Sequence, residues 1–196
     1  MSGKTIASTE KKPLSELTKT TPKDRIAECV ASMDHEAALI KRTIGIKKGT
    51  VLDAGCGGAY IDIALAQNKD LDFILLDPAH KAAKAAEENM KAFGYGSRAQ
   101  VICGSEQEIP LKDNTVDYVI STSSIGYWHN AQKGLEECYR VVKPGGKIFV
   151  SDISWDSYRD YFGMLKQSEI EYFSVHNEQD DMWIEICKKE SKKGEK

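Results

Sequence analysis

Val51-Leu52-Asp53-Ala54-Gly55-Cys56-Gly57-Gly58-Ala59-Tyr60 joins a short apolar run to a glycine-rich bend, and helical spacing follows through Ile61, Ala64 and Leu65. The apolar run reads as a buried strand, and the change of period at the glycines reads as a strand-to-helix turn. Without side chains, Gly55 and Gly57 can take positive φ angles and let a ligand approach the backbone. The first N–H groups of the helix have no partner within it and add hydrogen-bond donors. Asp53 can anchor the loop or face a cationic group. A turn of this kind serves several cofactor classes, nicotinamide and flavin among them, so it sets the fold class before it sets the ligand.

Outward from this stretch, strands and helices alternate. Upstream, Thr21 and Pro22 suit a helix start, and apolar residues from Ile26 to Ile44 keep one helical stripe that ends at Gly45, with a break expected at Met33-Asp34. Downstream, strands are predicted at Phe73–Asp77, Ala99–Cys103, Val116–Ser121 and Lys147–Ser151, with helices over His80–Phe93 and Asn130–Val142. Near-continuous apolar strands between amphipathic helices imply a parallel sheet covered on both faces. A further helix is expected over Asp156–Gln167. Two last strands, Ile170–Val175 and Met182–Cys187, are separated by too few residues for a parallel crossover and must form a hairpin. The expectation is an α/β fold: a seven-stranded, mostly parallel sheet with an antiparallel last strand and helices on both faces.

Composition is ordinary for one globular domain, with 41% hydrophobic and 29% charged residues in 196. A flexible leader is expected over 1–20, a domain over 21–188 whose segment 21–45 is a helical cap, and a charged tail over 189–196. The net charge of −3 is unevenly spread. Met1–Lys23 and Lys188–Lys196 each carry five lysines against two glutamates, which leaves about −9 between them. An acidic body argues against a nucleic-acid groove, which needs a basic face. No apolar run approaches the roughly 18–20 residues that cross a bilayer, and the first residues lack a secretory apolar stretch, so no membrane association and a cytoplasmic location are expected. The five cysteines lie far apart and read as buried reduced thiols; no metal site is expected.

Asp77 narrows the ligand. It ends the second strand, 22 residues after Gly55, where a doubly wound sheet places a carboxylate near ribose hydroxyls. With it, four stretches fall in order: Val51–Tyr60, Leu75–Asp77, Gly104–Leu111 with Asn114–Ser121, and Arg140–Asp152. Together they resemble a class I S-adenosylmethionine-dependent methyltransferase of the small, minimal, Rossmann-like type, over roughly Lys48 to Lys188. The resemblance implies S-adenosylmethionine as cofactor. It implies that Asp53, Ala54, Gly55, Cys56 and Gly57 surround the methionine part, that Asp77 holds the ribose with Pro78 beside the adenine, and that Ser105 and Glu106 flank the adenine ring. Ser121 would offer its backbone near the amino group.

Two positions depart from the family pattern. Ala59 replaces a frequent third glycine, and Ser105 stands where an aspartate usually accepts the adenine amino hydrogens, a contact left to Ser105 or Glu106. Tyr60, at the sixth position of the glycine motif, is too bulky for the close packing of a nicotinamide-binding turn, which leaves an oxidoreductase the weaker reading. For the acceptor side, the residues after the fourth strand border the crevice: His129 as a base, with Tyr127 and Trp128 as an apolar wall. The alternative for these residues is core packing and helix capping. A small-molecule acceptor is expected, and a protein partner or homodimer stays open. So does a second reading, in which the chain binds the cofactor without catalysis as a regulatory subunit.

Overall fold

The computed structural model describes residues 22–151, 153, 163, 165, 169–178 and 181–190. The leader expected over 1–20, nearly all of the helix expected over Asp156–Gln167 and most of the tail over 189–196 lie outside the described residues. Seven strands form a sheet: β1 (Gly49–Ala54), β2 (Leu71–Asp77), β3 (Ala99–Cys103), β4 (Val116–Ser121), β5 (Val142–Ser151), β6 (Ile170–Glu178) and β7 (Asp181–Lys188), in the order β3-β2-β1-β4-β5-β7-β6. β1 to β5 pair in parallel, and β7 runs antiparallel between β5 and β6. The hairpin expected from the short polar link therefore completes the sheet.

The inner strands β1, β2 and β4 and the second half of β5 are largely buried because both faces of the sheet are covered there. Val51, Phe73, Leu75, Ile120 and Phe149 point to one face, under α1 (Pro22–Ser32), α2 (Asp34–Ile44), α3 (Tyr60–Leu65) and α4 (His80–Ala92). Leu52, Ala54, Ile74, Leu76, Val119 and Ile148 point to the other, under α5 (Ala131–Val141). The helix break expected near Met33 separates α1 from α2. β5 begins at Val142, five residues before the predicted start, and its register with β4 shifts between Val116 and Tyr118. Among the described residues no helix is long and apolar enough to cross a membrane.

Sheet order locates the crevice. From β1 the chain builds outward through β2 to β3, then returns to the other side of β1 and builds outward through β4 to β5. Connecting helices on the two halves lie on opposite faces, so the loops after β1 and β4 diverge and leave a gap at the strands' carboxyl ends. The return segment, residues 104–115, contains turns and no helix.

That segment is held from α5. Arg140 Nη1 donates to the Leu111 carbonyl (2.8 Å) and Asp113 Oδ1 (2.8 Å), and Nη2 donates to the Ile109 carbonyl (2.9 Å). Arg140 also grips Glu137 through Nε and Nη2 (2.7 Å each), and Glu137 Oε2 accepts the Ile109 N–H (2.9 Å). This fork gives the Arg140 end of α5 its physical function. Arg140→Leu leaves two carbonyls and two carboxylates short of donors and is expected to destabilise the protein by about 2–3 kcal/mol in urea denaturation. The Arg140 guanidinium holds the Glu137 carboxyl below the usual range. Its contribution is therefore present above the unfolded carboxyl value and lost as pH falls through the lower folded one. The variant should show a shallower stability loss in acid.

Candidate functional site

β1 ends at Ala54, and the bend that follows is tied to β2. The N–H groups of Gly55 and Cys56 both donate to the Leu76 carbonyl (2.8 and 3.0 Å), and the Gly57 N–H donates to Asp77 Oδ2 (2.9 Å). From α4, Asn89 Nδ2 donates to the Gly58 carbonyl (2.9 Å). Gly55 and Gly57 take φ of +91° and +52°. So does Ala59, at +59°, although it has a Cβ; the change from glycine, mild by volume, carries a backbone cost of about 1–2 kcal/mol.

The two glycines leave room for different things. A Cβ on Gly57 would meet no atom within 4 Å, so the backbone there is open. A Cβ on Gly55 would lie 1.8 Å from Ser124 Oγ, in the loop after β4. The sequence reading gave both positions to ligand approach. At Gly55 the space is taken by the protein itself, and a side chain there would displace the β4 loop.

Three segments enclose a cavity of about 440 Å³ at the carboxyl ends of the strands. Gly55, Gly57, Asp77 and Pro78 form one wall; Ser105, Glu106 and Gln107 form the second; Ser123, Ser124 and Tyr127 to His129 form the third. Asp77 accepts from Gly57 through Oδ2 and from the Ala79 N–H through Oδ1 (2.9 Å). A carboxylate has about four acceptor positions, so about two remain for adjacent ligand hydroxyls. Glu106 is 5% exposed, and its carboxylate has no hydrogen bond or ion pair among the described residues. Lining the cavity, it offers acceptor positions to a ligand donor. Ser105 Oγ accepts from the backbone and side-chain nitrogens of Gln107 (3.2 and 3.4 Å), which frees its own proton to donate. No lysine or arginine lines the cavity among the described residues. Two carboxylates without a basic neighbour suit a cationic ligand.

The third wall is set by a second close approach. Trp128 Nε1 donates to Ser124 Oγ (3.0 Å), and the Trp128 ring lies where a Cβ on Gly134 of α5 would be, 2.5 Å from Cε3. Glu106 Cγ lies 3.2 Å from the same point. Trp128 is thus half-buried, both cavity wall and packing element. Tyr127, 89% exposed, and the exposed His129 stand beside it at the rim.

The remaining predicted site residues lie outside the cavity lining, Cys56 within the bend and the others at the ends of β1 and β4. Asp53, Ala54, Cys56 and Ser121 are all buried. Burial and the carboxylates of Asp53, Asp62 and Asp77 push the Cys56 thiol far up, so it carries no nucleophilic role. Asp53 faces Asp62 of α3, a residue the sequence reading passed over; its mark is a carboxylate inside the apolar run Ile61–Leu65. Asn89 was missed too, though it occupies the buried stripe of α4 with Ala83, Ala86 and Met90. Gly134 has a quieter mark, a glycine in the middle of a helix.

Residues 52–150 match the model of a family described as a methyltransferase domain. A Caenorhabditis elegans sterol 4-C-methyltransferase is 34% identical over 104 residues, covering 52% of this chain and 30% of that protein. A demethylmenaquinone methyltransferase of Anoxybacillus flavithermus is 33% identical over 137 residues, covering 67% of this chain and 57% of that protein. The chain thus spans well under two thirds of these curated relatives. Among solved structures, a candidate S-adenosyl-L-methionine-dependent methyltransferase of Methanococcus maripaludis aligns with a TM-score of 0.77 at 22% identity, over 87% of this chain and 92% of that one. At that identity the likeness shows the fold.

Gly134→Ala tests the packing of the third wall. In a free helix the change stabilises by about 1 kcal/mol. Here it is expected to destabilise by about 1–3 kcal/mol through overpacking against Trp128. Combined with Trp128→Leu, the loss should shrink or reverse in a thermodynamic cycle from denaturant melts.

Proposed function

Because the chain belongs to the methyltransferase-domain family, we propose that it carries the methyl group of S-adenosylmethionine to a small-molecule acceptor. The observation that carries this reading is the cavity in which the open Gly57 backbone, the Asp77 carboxylate and the unpaired Glu106 carboxylate converge. Its volume lies within the roughly 300–1,000 Å³ of small-molecule sites. Its chemistry fits the cofactor part by part. Asp77 has acceptor positions left for the two ribose hydroxyls. Glu106 supplies an acceptor for the adenine amino group, and Ser105 a donor for a ring nitrogen, with Pro78 along the ring. Gly57 gives the methionine part access to backbone. Asp53, Ala54, Cys56 and Ser121 act from below, by shaping the bend and by the field of the Asp53 carboxyl.

Bound S-adenosylmethionine supplies a methyl carbon activated by its sulfonium for in-line displacement by a nucleophile. The chain's task is then alignment and exclusion of water, effects worth up to about 7–11 kcal/mol in model reactions. Trp128, wedged on Gly134 and hydrogen-bonded to Ser124, gives the acceptor side a fixed wall. Tyr127 and His129 at the rim meet the acceptor, and His129 takes its proton if the attacking atom arrives protonated. The sterol and quinone-type methyltransferases among the relatives support an acceptor that is a small molecule.

The direct test is transfer of labelled methyl from S-adenosylmethionine to a panel of quinols, sterols and amines. Transfer to none of them, with saturable cofactor binding, would favour a non-catalytic binding role. Asp77→Ala is expected to weaken cofactor binding by about 1.5–3 kcal/mol, the range for hydrogen bonds to a charged group. Asp77→Asn, which keeps one carbonyl oxygen, should lose less; equal affinity for all three proteins in calorimetry would remove Asp77 from the ribose role. Tyr127→Ala and His129→Ala are expected to leave cofactor affinity unchanged. The first should raise KM for the acceptor, and the second should lower kcat.

A further inference from the structure

Two carboxyl groups meet below the glycine bend with no cation beside them among the described residues. Asp53 on β1 and Asp62 on α3 are 1% and 0% exposed. Asp53 Oδ1 and both oxygens of Asp62 have no hydrogen-bond donor among the described residues. The groups that face Asp53 are Asp62 from α3, Asp77 from the end of β2 and Glu36 from α2, with the Cys56 thiol in the bend above; each of the three carboxyls opposes its ionisation. Two ionised carboxylates cannot hydrogen-bond each other, whereas an acid and a carboxylate can.

We propose that Asp53 and Asp62 share one proton in the free protein and release it when a cationic cofactor enters the cavity, with Asp62 as a positioning residue acting through Asp53. The inference rests on the reading of the cavity as the S-adenosylmethionine site. Its physical link is Asp77, which lines the cavity and whose negative charge raises the proton affinity of Asp53. A sulfonium and an ammonium held against the same wall act along the same path with the opposite sign. Releasing the proton takes the pair from one negative charge to two, and the second charge is present under the methionine end only when the cation is there to face it.

The sign of the pH dependence follows. Burial raises both carboxyls above the usual carboxylate range in the folded state, and the two titrate as a unit. In the free protein the stabilising state is the protonated one, so the contribution is fully present below the unfolded value and is lost as pH rises through the folded one. A ligand that prefers the ionised pair therefore binds more tightly as pH rises across that window.

Calorimetric titration of the full chain with S-adenosylmethionine at pH 6, in two buffers of different ionisation enthalpy, counts protons released on binding. The wild type should release most of one proton, and its Kd should tighten up to about tenfold per pH unit between pH 5 and 6.5. Asp62→Asn keeps the side-chain shape and a donor toward Asp53 but cannot titrate, so it should bind with almost no proton release and a flat Kd. Asp53→Asn serves as the second variant and should also suppress the release. Binding by the wild type without proton release, or equal release by wild type and both variants, would overturn the shared proton while leaving the cofactor site intact. If the variants do not fold, the wild-type proton count decides alone. Absence of any binding would overturn the cofactor reading itself, and the inference with it.

Discussion

The last two residues of β2 hold the bend that ends β1. The Leu76 carbonyl takes the N–H groups of Gly55 and Cys56, and the Asp77 carboxylate takes the next one, of Gly57. Three backbone donors that the sharp turn would otherwise bury unpaired are thereby satisfied by the neighbouring parallel strand. The turn fixes where α3 begins, how closely Ser124 can settle on Gly55, and which backbone remains bare at Gly57. A carboxylate that serves the loop and also lines the cavity couples the two: the geometry of the ligand wall is the geometry of the turn.

Electrostatics gives this region its second constraint. Glu36, Asp53, Asp62 and Asp77 gather around the carboxyl end of β1. In water such a group would be unremarkable; for Asp53 and Asp62, 1% and 0% exposed, the charge has to be neutralised by protons or by something brought from outside. A cofactor with a sulfonium and an ammonium is a natural complement, and the absence of lysine and arginine from the described lining of the cavity is consistent with that. The same acidity that looked like a dispersed negative charge along the chain is locally concentrated where it can matter for binding.

Packing supplies the rest. Two glycines far apart in sequence, Gly55 and Gly134, give up side chains so that Ser124 and Trp128 can occupy the space, and the hydrogen bond between those two closes the set. The Arg140 and Glu137 fork then holds the helix-free segment before β4 against α5, which steadies the wall that carries Ser105 and Glu106. Packed walls on two sides leave Tyr127, 89% exposed, as the open side chain at the mouth of the cavity.

The sequence alone determined the order of elements, because apolar spacing reports local geometry and each buried strand and amphipathic helix declares its own period. It determined the terminal hairpin as well, since a short link cannot cross a sheet, and it marked Asp77 by its distance from the glycine turn. What only the tertiary structure decided are the pairings across elements. Asp62 is one more residue of a helix until α3 lies on β1, and then it faces Asp53 with no cation nearby among the described residues. Gly134 is a weak point of α5 until Trp128 packs on it, and Gly55 is open backbone until the β4 loop arrives beside β1. Such contacts join residues that periodicity treats separately, because their proximity is created by the sheet order and not by the chain's local conformation.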